Sequence, residues 1–360
     1  MSIPRTVRPK RLKLAALLAV ASLAATGCGS RPGADDGGGG KAAEAKDAGG
    51  VVNMVMAPDP VWKWLEDQGI KQKMEQEAKI QILTSSSWDE FGVYAGGHAD
   101  VVSAASYEVP ELEKQTGAPA TIFGKFNSDR SILAVPKDSP AKDLCDLKGK
   151  KIVTHSAVSI TIMWGVYAKK FCNLDLRAGG GDYELVVTDP QNAAGLITRG
   201  DADAGLLLPD FSIPQLSSGD LKPLYDSKSV TQIYAEKFSS DPQETTHPQN
   251  NVFVARKAWV EKNPEEAAFL VKIWNRGVQE WAKNKAKIIA AYPEDFAAES
   301  PQEKKFITDW LNNTYDWFVP TTYLDEEWVK SETELFDLMK ETGFVEKDIP
   351  TPDFTVIKPE

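Results

Sequence analysis

The chain has 360 residues, of which 41 are Lys or Arg and 52 are Asp or Glu, for a formal charge of −11. That acidic balance argues against nucleic acid or an anionic membrane surface as partner, because both are polyanions. The length suffices for one large domain or for two lobes, each with its own core.

Arg5, Arg8, Lys10, Arg11 and Lys13 precede an unbroken run of small or apolar residues from Leu14 to Ala25. The run has signal-peptide length and is too short to span a bilayer as a helix. It ends in Ala25-Thr26-Gly27-Cys28, which resembles a bacterial lipobox. Small residues there fit a narrow peptidase pocket, and the thiol is the nucleophile that takes the acyl glycerol. Ordinary secretory cleavage beside an incidental cysteine is the alternative. The reading adopted is a lipoprotein signal peptide over 1–27, with Cys28 lipidated. The product is exported and anchored on the outer face of the bacterial cytoplasmic membrane. Loss of the five basic residues takes the net charge to −16. Residues 28–50, rich in Gly, Ala, Asp and Lys, cannot form a core and read as a flexible tether.

The run Val51-Val52-Asn53-Met54-Val55-Met56 predicts a buried parallel strand emptying into a loop at Pro58 and Pro60. An amphipathic stretch with Trp62, Leu65 and Ile70 follows, and Lys79 to Leu83 is the next strand. Strand, helix, strand then recurs, the pattern of α/β lobes with mostly parallel sheets. One segment is echoed. Ile82-Leu83 leads to a polar cap, a helix, Gly97-His98-Ala99-Asp100 and the strand Val101-Val102. Leu185 to Val187 leads likewise to a cap, a helix, Gly200-Asp201-Ala202-Asp203 and the strand from Gly205 to Leu208. Ser87 with Glu90 has the form of a capping box, and Asp189 with Pro190 that of a cap and first helical residue. Gly97 and Gly200 suit positive φ at a helix end. The echo predicts two lobes built alike.

Cys145 and Cys172 form an even pair in an exported chain and suggest a disulfide, two separately buried thiols being the alternative. His98, His155 and His247 lack metal-ligand spacing, and no cofactor is implied. Ser131 to Pro136 and Asn251 to Arg256 are strong strand signals placed where the chain would cross between lobes, and they are read as paired hinge strands. The rest is helical. Asn263-Pro264 opens a helix with Leu270, Ile273, Trp274, Val278 and Trp281 on one face. Phe306, Ile307, Trp310, Leu311, Tyr315 and Phe318 mark another, and these aromatics read as core. The domain plan is 51–134 for the first part of lobe one and 135–248 for lobe two. Residues 249–360 supply the return strand and C-terminal helices packing on lobe one.

Four motifs occur in order: Gly97-x-x-Asp100-Val101, Asp146-Leu147-Lys148-Gly149-Lys150-Lys151-Ile152, Asp189-Pro190 through Arg199-Gly200-Asp201-Ala202-Asp203-Ala204, and Asn263-Pro264-Glu265. With them, the chain from about Val51 to Trp281 resembles the ABC-transporter substrate-binding proteins of the nitrate, sulfonate and taurine type. The resemblance implies a type II periplasmic binding protein fold: two similar α/β lobes, two hinge strands and a ligand held between them. It places first-lobe pocket loops at 57–61, 84–89 and 103–107. It places second-lobe loops at 154–159, at Asp189 and at Pro209-Asp210. Trp62, Trp88 and Trp164 in or near these loops point to a ligand larger than nitrate.

Within those loops Thr154, His155, Ser156 and Ser159 lie between a strand and an amphipathic helix. The helix N-terminus would present amides and hydroxyls to an anion, or Ser156 or Ser159 merely caps it. Ser85, Ser86, Ser87, Ser103 and Ser106 add hydroxyls, and Trp88 and Tyr107 flat walls, a core role being the alternative for each. Arg130 suits two-pronged binding of a carboxylate or sulfonate, an exposed hinge arginine being the alternative. Asp59, Asp89, Asp189 and Asp210 suit a cationic group on the ligand, with helix capping the alternative for Asp89 and Asp189. The function so read is an extracytoplasmic binding lipoprotein for a small organic anion, a sulfonate such as taurine or an aromatic carboxylate. Its partners would be the ABC permease and ATPase, with membrane contact through the lipid alone and no nucleic acid. An enzyme on the same fold, of lyase or pyrimidine-precursor synthase type, is the alternative. The sequence offers it no nucleophile–base pair.

Overall fold

The computed structural model describes residues 50–240 and 249–359. The signal run, Cys28 and most of the tether lie outside the described residues. Among the described residues, eleven strands form two sheets. They are β1 (Gly50–Met56), β2 (Ile80–Ser86), β3 (Val101–Ala104), β4 (Ala120–Ser128), β5 (Ile132–Pro136), β6 (Lys151–Thr154), β7 (Glu184–Val187), β8 (Ala204–Leu207), β9 (Leu221–Pro223), β10 (Gln249–Arg256) and β11 (Asp353–Phe354).

The first sheet runs β2-β1-β3-β10-β4-β11 and the second β7-β6-β8-β5-β9. Each has an inner strand, β1 or β6, with two parallel neighbours, and then one strand, β10 or β5, running antiparallel to the sheet. The core therefore follows the α/β architecture that the sequence implied. Val52, Met54, Val55, Val101 and Val102 are fully or almost fully buried, as expected for parallel strands covered on both faces.

The echoed segments do the same work in both sheets. Gly97 and Gly200 end their helices at φ +78° and +81°. Asp100 then accepts the Asn53 amide at 2.9 Å while its own N–H donates to Asn53 O at 2.8 Å. Asp203 accepts the Lys151 amide at 2.9 Å and donates to Lys151 O at 2.9 Å. Each aspartate thus locks the entry of its strand to the neighbouring strand.

Several local expectations are corrected. Asp89, not Ser87, caps helix Glu90–Ala95, accepting the Gly92 amide at 3.2 Å; Ser87 Oγ instead accepts the Asp89 amide. Asp189 precedes Pro190 at the helix start but makes no side-chain cap bond. The two hinge strands do not pair with each other: β5 lies between β8 and β9, and β10 between β3 and β4. The strand β4, buried along its whole length, was missed because its neighbours in sequence gave the stronger apolar signal.

The chain crosses from β4 to β5 through Asp129-Arg130-Ser131 alone, and all three residues are buried. Side chains from both sides fix them. Tyr107 donates to Asp129 Oδ2 at 2.7 Å, Thr231 to Asp129 O at 2.6 Å and Trp164 Nε1 to Ser131 Oγ at 3.0 Å.

Helix Pro264–Ala291 buries Leu270, Ile273, Trp274, Val278 and Trp281, and Trp274 stacks on Phe126 at 4.1 Å between centroids. The last long helix, Glu326–Thr342, does not stay with the first sheet. Trp328 packs with Val102 and Ile122, whereas Leu335, Phe336 and Met339 join Trp164 and Tyr167 in the second core. Cys145 and Cys172 are bridged, with Cα atoms 5.2 Å apart, inside the second core's shell. No described helix is long and apolar enough to cross a membrane.

Candidate functional site

Two cavities of about 320 and 360 Å³ open between the sheets, and Trp88 and Arg130 line both. Arg130 comes from the crossover. Trp88 sits in the loop after β2 and meets Phe211, from the loop after β8, edge to face at 5.2 Å. The two lobes therefore touch through an aromatic pair over the cleft.

The first cavity has Asp59, Asn127, Arg130, Asp210, Phe211, Gln215, Glu294, Asp295, Trp317 and Phe318 in its wall. Asp59 is placed by the turn into helix Pro60–Asp67, where Oδ1 accepts the amides of Val61 and Trp62 at 2.8 and 3.0 Å. Burial nevertheless pushes its carboxyl up to about 7, against those two amides. Arg130 makes the two-pronged pair the sequence suggested, but with the chain's own Asp210, at 2.8 Å for both bonds. Its guanidinium also lies 5.2 Å from the centre of the Trp317 ring. Nη1 has no hydrogen bond among the described residues. Asp210 is thus the arginine's counter-ion and not a lone anchor for a cation.

The second cavity has Glu90, Glu108, His155, Ser156 and Ser159 in its wall. Ser156 Oγ accepts the amides of Val158 and Ser159 at 3.2 and 3.1 Å, which leaves its hydroxyl proton for another acceptor. Ser159 is the N-cap of helix Ile160–Tyr167 by position, without a side-chain cap bond. Burial holds His155 down near 4, helped by Arg130, so the ring is neutral, and its Nδ1 is buried without a partner. Burial also lifts Glu90 to about 7 and Glu108 to about 8.

Of the remaining expected site residues, Thr154 is buried and bonded to Thr161 Oγ1 at 3.0 Å, a structural use. Ser103 and Ser106 are buried in and after β3, outside both cavity walls, and Asp189 is exposed at the head of its helix. Sequence reasoning missed Phe211, which directly follows Asp210, and Asn127 at the end of the unrecognised β4. It also missed the C-terminal contribution. Helix Pro301–Asn313 ends before Trp317 and Phe318, which then turn into the cleft, where Phe318 bridges to Asn127 through the backbone.

Two α/β halves joined by a wired crossover, with cavities walled by residues of both, define the class: a two-lobed α/β protein of the periplasmic binding fold. Residues 60–235 match the family model described as ABC transporter, phosphonate, periplasmic substrate-binding protein. Among solved structures, the chain resembles the periplasmic aliphatic sulphonate binding protein SsuA from Escherichia coli. The TM-score is 0.62 at 17% identity, over 86% of this chain and 94% of that one. The alkanesulfonate-binding protein SsuA from Xanthomonas axonopodis pv. citri gives 0.62 at 13%, over 85% and 98%. The periplasmic nitrate-binding protein NrtA from Synechocystis PCC 6803 gives 0.57 at 16%, over 84% of each chain. No curated protein matches the chain in sequence. The chain therefore shares the fold of these periplasmic binding proteins, and just under half of it matches the family model.

Proposed function

We propose that this protein is the lipid-anchored receptor that captures a small organic anion outside the cell and hands it to an ABC permease. The observation that carries the anion is Arg130. It lines both cavities, its Nη1 is unused among the described residues, and Asp210 holds it in one orientation. The Ser156 hydroxyl proton is a second donor on the facing loop. Contacts made by both lobes to one ligand stabilise the closed form, the form the permease recognises, so the protein acts by closing and not by turnover. Cys28 carries the acyl anchor, and residues 28–50 tether the receptor near the permease.

The test is titration calorimetry of the mature chain with sulfonates, phosphonates and aromatic carboxylates, paired with uptake by cells lacking the gene. A ligand bound unchanged, whose uptake is lost on deletion, is the expected result. A ligand chemically altered by the purified protein would instead favour an enzyme. Mass spectrometry of the native protein should find an acyl group at Cys28.

A further inference from the structure

The C-terminal segment crosses between the lobes twice. Asp325, beside the first sheet, caps helix Glu326–Thr342 by accepting the Trp328 amide at 2.8 Å, and Lys125 of β4 faces its carboxylate at 3.8 Å. Trp328, Leu335 and Met339 recur at helical spacing, so one apolar stripe runs along the helix. The structure divides that stripe between two cores. Trp328 is buried beside Val102 and Ile122 of the first lobe, and Leu335, Phe336 and Met339 are buried in the core of the second. Gly343, at φ +80°, stops the helix, and Phe344 packs on Gly165 of the second lobe. The chain then returns. Asp353 and Phe354 pair in parallel with Thr121 and Ile122 of β4, and the Thr355 amide donates to Ile122 O at 2.9 Å.

Polar contacts fasten the segment at both ends. On the second lobe Lys170 Nζ donates to Glu341 Oε1 at 2.7 Å and Ser240 Oγ to Glu334 Oε1 at 3.0 Å, while the Arg177 guanidinium lies 5.8 Å from the centre of the Phe344 ring. On the first lobe Lys257 Nζ donates to Asp353 Oδ2 at 2.6 Å and Thr121 Oγ1 to Asp353 O at 3.2 Å. Between these anchorages the packing is not solid. A cavity of about 390 Å³ lies under the returning residues, walled by Tyr107 and Pro110 of the first lobe, Val158 and Ile162 of the second, and Phe344 and Ile349. Phe91, Glu108, Glu111 and Val158 line this cavity and the second cavity of the cleft alike, so the segment bridges one flank of the cleft. Among the described residues, none from 325–355 lines either cavity of the cleft itself.

We propose that residues 325–355 form a strap that holds the two lobes near the closed arrangement and limits how far the cleft opens. The crossover through Asp129-Arg130-Ser131 is a hinge, and a hinge alone leaves the lobes free to rotate about it. A second connection placed away from the hinge turns that rotation into a pull. Thr121, where the strap returns, stands eight residues before Asp129, about 26 Å along a strand at 3.3 Å per residue. Opening on that lever arm must draw Phe344 off Gly165 or bend the helix between Trp328 and Leu335, and both lose buried apolar contact. The strap therefore keeps the closed arrangement populated, and apparent affinity for a ligand of the closed form scales with that population. It does so whichever solute the cleft takes.

The experiment measures the distance between the lobes. Gln76 and Thr198, exposed helix residues of the first and second lobe, are changed to cysteine in a Cys28→Ser background and spin-labelled. Cys145 and Cys172 are bridged and take no label. The distance distribution is recorded with no solute added. Phe344→Ala removes the apolar anchor on the second lobe, and Glu341→Lys sets two lysines against each other at an exposed position that folding does not need. Both should shift the distribution to longer and broader distances, and the two together further. Cys145→Ser with Cys172→Ser weakens the second lobe at residues the strap does not bond, and should leave the distribution in place. Distances unchanged in both strap variants would overturn the strap, and so would an equal shift in the disulfide control. Because no solute is used, either result leaves the reading of the cleft as it stands.

Discussion

Arg130 and Asp210, 80 residues apart, face each other in a buried two-pronged ion pair, with Nε–Oδ1 and Nη2–Oδ2 both at 2.8 Å. The pair ties the crossover to the loop after β8, and so couples the hinge to the cleft wall. Removing one partner leaves a buried, uncompensated charge. Asp210→Ala should therefore destabilise the protein by about 3–5 kcal/mol. The double change Arg130→Met with Asp210→Leu should cost much less, because no charge is stranded. Denaturant unfolding of the three proteins checks this. Equal losses for the single and double variants would contradict it.

Stability should fall as pH rises past neutrality. Burial lifts Asp59 and Glu90 to about 7 and Glu108 to about 8, above ordinary values of 3.8 and 4.5. Groups raised in the folded state contribute stability that is complete below the ordinary value and lost as pH climbs through the folded value. His155 runs the other way: held near 4 against 6.5, it adds stability as pH rises between those values. The two effects oppose each other below 6.5, so the clean window is pH 6.5 to 8. Melting temperature should drop across it, and Glu108→Gln should flatten the slope. A flat wild-type profile there would refute the prediction.

The Cys145–Cys172 bridge closes a loop of 27 residues. On the chain-entropy model it contributes about 3 kcal/mol. Reduction, or the double change to Ser, should lower the unfolding free energy by that order. Thiol labelling of unreduced, denatured protein should find neither cysteine reactive.

Gly165 lies inside helix Ile160–Tyr167, and a Cβ there would collide with Cζ of Phe344. The ring belongs to the C-terminal segment packed on the second core. Gly165→Ala should cost about 1–3 kcal/mol despite the better helix propensity of Ala. Adding Phe344→Ala should recover part of that loss. Thermal unfolding of both variants tests whether this contact staples the C-terminal segment down.

How much of this was legible beforehand depended on how local each signal was. Val51 to Met56 reads as a buried parallel strand because its apolar run is continuous, and it is one. The repeated Gly-x-Ala-Asp segments read as equivalent because positive φ and an aspartate beside the strand are decided within a few residues. The cysteine pair was readable as a candidate from parity and export alone, and the structure closes it. Other choices depended on contacts far apart in sequence. Nothing local in Arg130 says that its partner is Asp210 and not the ligand. Nothing in the helical spacing of Trp310, Tyr315 and Phe318 shows that the helix stops at Asn313 and sends Trp317 and Phe318 into the cleft. Periodicity and turn chemistry act over a handful of residues and so determined the two-lobed α/β plan. The cleft is made where strand ends, crossover and C-terminal segment converge, and only the packing of the whole chain decided which side chains meet there.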